Sequence, residues 1–444
     1  MYSLTTLLTT LSLLSATLAA PLTIPLGSTG LTITISSDGG AQMNNGQKVD
    51  LSPVMAMMSQ ASPAECATPP AQGNAKAGNA KAVYFLTNAA NNAVVALKVG
   101  ADGKLSAGSM TSTQGKGGVG VDAAGKPALP DGTFSQSIIR VEGSTMIALN
   151  PGSNTASLFS ISSRDATKLT MIGSPVDTMG DFPVSVAVSS KLSMACVANT
   201  GARAGIACYK ITPTGLLPSG SLRPFALNQT NPPSGPLNTV SQTFFNGDST
   251  ALLTTVKGDP TKKNTGFLSS FPVTAGMVSM TGTQTSPNGT AVLFGSTVLP
   301  GTSDIFVTDA SFGTATLSSS TGFAAAAVSA STKLDGQKAT CWATFSAVTS
   351  TAFVTDVARN VLSEIDTKTG EVVKSLDAKN GNIGLIDLAS KGNFVYALAP
   401  GNATAGVPVH VAVYDVSGGR GSVKEVQNFE VMGVSDSVQG MTLC

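Results

Sequence analysis

Seven short apolar runs mark the chain between residues 83 and 400, and each stops at an Asn, Asp, Lys or Pro. They read VYFLTN to Asn88, MIALN to Asn150, MACVAN to Asn199, ALLTTVK to Lys257, DIFVTD to Asp309, TAFVTD to Asp356 and FVYALAP to Pro400. A polar turn and a second apolar run usually follow, as in NNAVVALKV and NTASLFSI. Runs this short, bounded by Gly, Asn and Asp, predict β-strands joined by tight turns. The unit repeats with a drifting period near 50 residues and holds several strands. That combination predicts an all-β fold, a β-propeller rather than a helical solenoid.

Seven units predict a single seven-bladed propeller of four-stranded antiparallel blades over residues 80–444. The first strand of each blade should lie just upstream of the marked run. SQSIIRVEG from Ser135, PVSVAVSS from Pro183, SQTFFNGD from Ser241, Trp342 to Ala347 and Ile383 to Ala389 fit that place. No such strand stands before Val83, whereas SVQGMTL, Ser437 to Leu443, has the pattern with no repeat after it. The C-terminal strand is therefore expected to complete the first blade and close the ring.

Residues 1–19 carry six leucines between Leu4 and Leu14, then Thr17 and Ala19, the pattern of a signal peptide cut after Ala19. Residues 20–79 form an N-terminal extension rich in Ser, Gly and Pro, expected to be partly irregular. No later run is long and apolar enough for a membrane-spanning helix. Export to the cell surface or beyond also suits three N-glycosylation sequons, at Asn228, Asn288 and Asn402. Five cysteines suit an oxidising compartment. Cys196 and Cys208 lie symmetrically about the turn at Ala202, so they are expected to face each other across a hairpin. A Cys66–Cys444 disulfide would staple the two ends of the ring, worth roughly 4–5 kcal/mol by loop closure. Cys341 is left over, buried beside Trp342.

Only 11% of residues are charged and the net charge is +1, so no global field draws the chain to nucleic acid. The single histidine, His410, sits in an outer strand, VPVHVAVY, which leaves no Ser-His-Asp triad and no His-based zinc site. No cofactor or metal is expected. The turns after the marked runs and the connections into the first strands should share one face of the disc. That face collects Asn88, Asn150, Asn199, Lys257, Asp309 and Asp356 with Gln136, Asn238 and Gln242. Arg203, Lys262, Lys263 and Arg359 add cations in the same turns.

VYFLTNAANNAVVALKVGADGKL, MIALNPGSNTASLFSI and VANTGARAGIACYKITPTGLLP resemble the lactonase-like seven-bladed propellers. More closely, the chain is similar to the secreted fungal 3-carboxymuconate cyclase-like proteins, with Asn150 to Asn154 the most specific piece. The resemblance implies isomerisation of 3-carboxy-cis,cis-muconate, or hydrolysis of a sugar lactone, at the channel mouth. Family members carry a Pro-His-Pro-His-like segment entering a middle blade; the matching stretch here is GPLNTVSQ, with Asn238 and no histidine. Two functions follow. One is a cycloisomerase or lactonase, with Arg203 and Lys257 clamping a small carboxylate, Asn238, Gln242 and Gln136 beside it, and Asp309 or Asp356 transferring the proton. The other is a secreted binding or adhesion disc for an extracellular glycan or protein.

Overall fold

The computed structural model describes residues 78–319 and 323–444, with three short strands before them. The chain divides into two units, residues 1–63 and 64–444. In the first, Leu22–Pro25, Thr32–Ile35 and Ala41–Met43 form an antiparallel sheet in chain order. The expected signal peptide lies outside the described residues.

The second unit is a ring of seven four-stranded antiparallel blades. Their inner strands are Gln439–Leu443, Ile139–Glu142, Pro183–Ser189, Val240–Phe245, Leu293–Val298, Thr340–Ser346 and Ile386–Lys391, for blades 1 to 7 in turn. Each packs on the inner strands of both neighbouring blades, which closes the circle. The C-terminal strand pairs antiparallel with Ala82–Leu86, so the last strand of the chain completes the first blade as expected. Among the described residues the helical content is two single 3-10 turns, and no helix is long and apolar enough to cross a membrane.

The second strands are the marked runs of the sequence. Ala82–Leu86, Met194–Asn199, Ala251–Val256, Thr351–Asp356 and Phe394–Ala399 are buried at every position. A strand sandwiched between two blades has no solvent face, so it reads as a continuous apolar run. The outermost strands have one wet face and alternate, as Ala327–Lys333 does. The core therefore lies in the interfaces between blades, where Trp342 meets Phe294 edge to face with ring centroids 5.1 Å apart.

Six inner strands slip register by one residue near their start, in blades 1 and 3 to 7. A bulge at this place turns the following side chains relative to the pleat. Ser241, Cys341 and Asp387 stand at these bulges in blades 4, 6 and 7. Cys196 and Cys208 are cross-strand partners in blade 3 and form the expected disulfide. Cys444 is disulfide-bonded, and its expected partner, Cys66, lies outside the described residues. Cys341 is the buried free thiol beside Trp342.

One expected strand is shorter than the sequence indicates. The run from Ser135 begins its pairing at Ile139, because residues 133–138 leave the blade and cross the channel. Phe134 and Ser137 have φ of 55° and 68°, the left-handed conformation that turns a chain sharply. Blade 5's inner strand, LFGSTV, has no counterpart among the sequence candidates. Its Gly295 leaves room for the Gln136 side chain, whose Oε1 would lie 2.1 Å from a Cβ there.

Candidate functional site

Two inter-blade connections build a cap where the second strands end. Residues 113–138 link blades 1 and 2, and residues 225–239 link blades 3 and 4. They meet as Val121 N donates to Pro233 O at 2.9 Å and Gly235 N donates to Val121 O at 2.9 Å. The Phe134 ring fills the space beside Gly120 and Gly235, where a Cβ would lie 2.4 Å from it in either case.

Below the cap, the descending segment plugs the channel. Ser135 Oγ donates to Val184 O at 2.8 Å, and Trp342 Nε1 donates to Ser135 O at 3.0 Å. Gln136 Nε2 donates to Ala343 O at 2.8 Å, while Ala343 N donates to Gln136 Oε1 at 3.1 Å. Gln242 accepts from Ser296 N at 2.5 Å and donates to Ser137 Oγ at 3.3 Å. One short segment thus bonds to blades 3, 4 and 6, and the channel interior is occupied by protein.

Between cap and plug remains a hollow of about 560 Å3. Leu129, Pro236, Leu237, Val292 and Phe294 make its walls largely apolar, and Asp131, Lys257 and Cys341 bring chemistry to it. Lys257 is 1% exposed. Its Nζ donates to Phe134 O at 2.6 Å, Ser241 Oγ at 2.9 Å and Val240 O at 3.3 Å, and stands 4.4 Å over the Phe294 ring. Three acceptors and an aromatic face satisfy all three protons of an ammonium. Burial pushes this amine down to about 7, opposed chiefly by the Asp131 carboxylate. Half-buried Asp131 is pushed up to about 7 by desolvation, opposed by Lys257 and by the Phe134 amide, which donates at 3.1 Å. Burial raises the Cys341 thiol well above its ordinary value.

The structure brings only Lys257 of the proposed site residues to the hollow's lining. Asp309 accepts from Ala291 N at 2.7 Å and Val292 N at 3.1 Å, and from Ser311 N at 3.0 Å. Asp356 accepts from Lys338 N at 2.7 Å, Ala339 N at 3.0 Å and Ala358 N at 2.9 Å. Both carboxylates tie the incoming connection to the end of a second strand, and both are buried. Asn88 does the same with Gly118, donating to its carbonyl at 2.8 Å and accepting from its amide at 3.0 Å. Arg203 stands outside the hollow, 60% exposed at its side chain, in an ion pair with Asp181. Asn238, at φ 57°, donates to Leu227 O at 2.6 Å within the second connection. His410 stands at the start of the third strand of blade 7, away from the hollow. Asn228 and Asn288 are exposed, and Asn402 is half-buried.

Asp131 and Phe134 were not singled out by sequence. The signal for them is length: 26 residues without a regular strand separate Ser112 from Ile139, and long connections in compact domains commonly carry function.

Neither family models nor curated proteins match this chain. Solved structures do, as folds. A protein from Bacteroides fragilis provisionally named a 6-phosphogluconolactonase is 10% identical, with a TM-score of 0.54 over 85% of this chain and 100% of that one. Its namesake from Bacteroides uniformis is 15% identical, with a TM-score of 0.48 over 64% and 80%. The dihydro-heme d1 dehydrogenase NirN is 13% identical, with a TM-score of 0.46 over 84% and 77%. The chain is a seven-bladed propeller with lactonase-named propellers among its structural neighbours.

Proposed function

We propose that this protein is a secreted, non-catalytic binding propeller, related by fold to the lactonase-like enzymes, whose capped hollow takes a small, largely apolar ligand. The observation that carries the reading is the state of Lys257. Its Nζ already faces three acceptors, Phe134 O, Val240 O and Ser241 Oγ, so even when protonated it has no proton left for a substrate carboxylate. What the hollow offers a guest is largely apolar wall and the Asp131 carboxyl, with the charges of Asp122 and the exposed Lys338 also in its lining, which suits an apolar body with a polar handle. The satisfied carboxylates of Asp309 and Asp356 and the exterior ion pair of Arg203 support the same reading.

Calorimetric titration tests it, with a neutral naphthalene ketone, 3-carboxymuconate and a panel of aldonolactones. Binding of the neutral probe, lost when Ala339→Trp fills the hollow, is the expected result. Turnover of the muconate or a lactone, abolished in Asp131→Asn and Lys257→Met proteins that remain folded, would overturn it.

A second reading has one specific observation in its favour. Asp131 and Lys257 line one hollow, with the acid pushed up and the amine pushed down toward the same value near 7. Such a pair is suited to proton transfer in a cycloisomerase or lactonase. The turnover arm of the same experiment decides between the two.

A further inference from the structure

The opposite face of the disc, where inner strands turn into second strands, holds two adjoining hollows of about 680 and 260 Å3. They share Arg140, Glu142, Gln242, Ser296 and Thr297 in their linings. The plug separates this side from the capped hollow, since Gln136 and Ser137 stand in its lining too.

Two cations converge here. Arg140 belongs to the inner strand of blade 2, and Lys391 ends the inner strand of blade 7. Both line the smaller hollow, and neither has a side-chain hydrogen bond or ion pair among the described residues. Lys391 is half-buried, and both that burial and the like charge of Lys81 push its ammonium down. The carboxylates nearby are Glu142, which lines both hollows, and Asp387, whose carboxyl feels the charge of Arg140; among the described residues neither forms an ion pair with Arg140 or Lys391. Glu142 accepts from Ser190 Oγ at 3.2 Å. Asp387 is fully buried and accepts from Leu388 N at 2.8 Å and Met441 N at 3.1 Å. Lys191, in the larger hollow, donates to Asp248 O at 2.7 Å.

An independent observation comes from blade 5. Ser296 is 4% exposed, lines both hollows, and its hydroxyl oxygen has no hydrogen-bond partner. A buried hydroxyl left unpaired is costly, so such a group ordinarily has a partner to complete it.

We propose that this mouth is a binding site for a small organic oxyanion, a carboxylate or phosphate, held by Arg140 and Lys391 with Ser296 completing its hydrogen bonds. The planar fork of Arg140 suits bidentate pairing with either head group, and Lys391 supplies a point charge. The hollow is larger than an inorganic ion, so the ligand carries an organic body. The site lies on the other side of the plug from the capped hollow and stands whether or not that hollow binds anything.

Calorimetric titration at low ionic strength, with citrate and separately with inorganic phosphate, tests it. Saturable citrate binding is expected, weakened about tenfold or more in Arg140→Ala and in Lys391→Ala, and less in Ser296→Ala. Lys263→Ala, which removes an exposed lysine from the other face, should leave it unchanged. Competition by phosphate would assign recognition to the shared oxyanion chemistry, and binding of citrate alone would assign it to carboxylates. No saturable heat from either ion with folded protein, or affinity that survives both the Arg140 and Lys391 substitutions, overturns the proposal.

Discussion

Gln136 and Ala343 exchange two hydrogen bonds across the channel, although 207 residues separate them in the chain. One belongs to the connection before blade 2 and the other to the inner strand of blade 6. The pair has the geometry of two strand residues, but a side-chain amide plays the part of one backbone.

Replacing Gln136 by Ala would leave a buried amide and a buried carbonyl of Ala343 without partners. A loss of about 2–4 kcal/mol is expected, read from the midpoint of urea unfolding. Gln136→Glu should recover part of this only at acidic pH, where the protonated carboxyl both accepts from the Ala343 amide and donates to its carbonyl.

The cap depends on two residues without a Cβ. Gly235→Ala should drive a methyl into the Phe134 ring and destabilise the protein by about 1–3 kcal/mol. Adding Phe134→Leu should recover much of that loss. Equal and additive losses in a double-mutant cycle would mean that the ring is not what the glycine accommodates.

Asp309→Ala should cost stability more than binding. Its carboxylate holds the Ala291, Val292 and Ser311 amides, and removing it strands buried donors, for a loss of about 2–4 kcal/mol. Ligand affinity at the capped hollow, measured below the new melting temperature, should remain within about twofold, because Asp309 is absent from its lining.

Asp387 predicts a pH dependence of known sign. Desolvation, opposed by the Leu388, Ser137 and Met441 amides and by Arg140, raises its carboxyl to about 7 from 3.8. Between those values the unfolded chain has released the proton and the folded protein keeps it. Stability should therefore fall as pH rises from about 4 to 7 and level off above, by up to about 4 kcal/mol from this group. Comparing urea midpoints of wild type and Asp387→Asn at several pH values reads it. A wild-type profile no steeper than that of the variant would show that the carboxyl ionises normally.

Breaking the Cys196–Cys208 bridge closes no route to the fold but lowers stability. With a sequence separation of 12, the chain-entropy model gives about 3 kcal/mol, seen as a lower unfolding midpoint in Cys196→Ser/Cys208→Ser protein.

The ring was legible because its strands are local. Second strands such as Met194–Asn199 are buried on both faces and announce themselves as apolar runs, and the C-terminal strand was an inner strand without a blade. The hairpin disulfide followed from symmetry about a turn. The plug was not legible, because Phe134 and Gln136 acquire their roles from blades 4 and 6, far along the chain. Neither was the burial of Lys257: a lysine ending an apolar run reads as a solvated turn until its acceptors, the Phe134 carbonyl among them, are in place. Asn, Asp and Gln in these turns looked like site residues because hydrogen-bonding capacity is common to both tasks. The structure puts that capacity of Asn88, Asp309 and Asp356 into joining one blade to the next.

Ser437 on the closing segment donates to the Thr87 carbonyl, 350 residues earlier in the chain. During synthesis the strand Ala82–Leu86 emerges early and waits for Gln439–Leu443 with one edge unpaired. Six blades can assemble in order of translation while the first carries an open, apolar border of just the kind that recruits stray strands. A chain released between residues 430 and 439 would be a nearly complete disc that is sticky along one seam. The cell that makes this protein therefore has reason to shield that seam until residues 439–443 arrive.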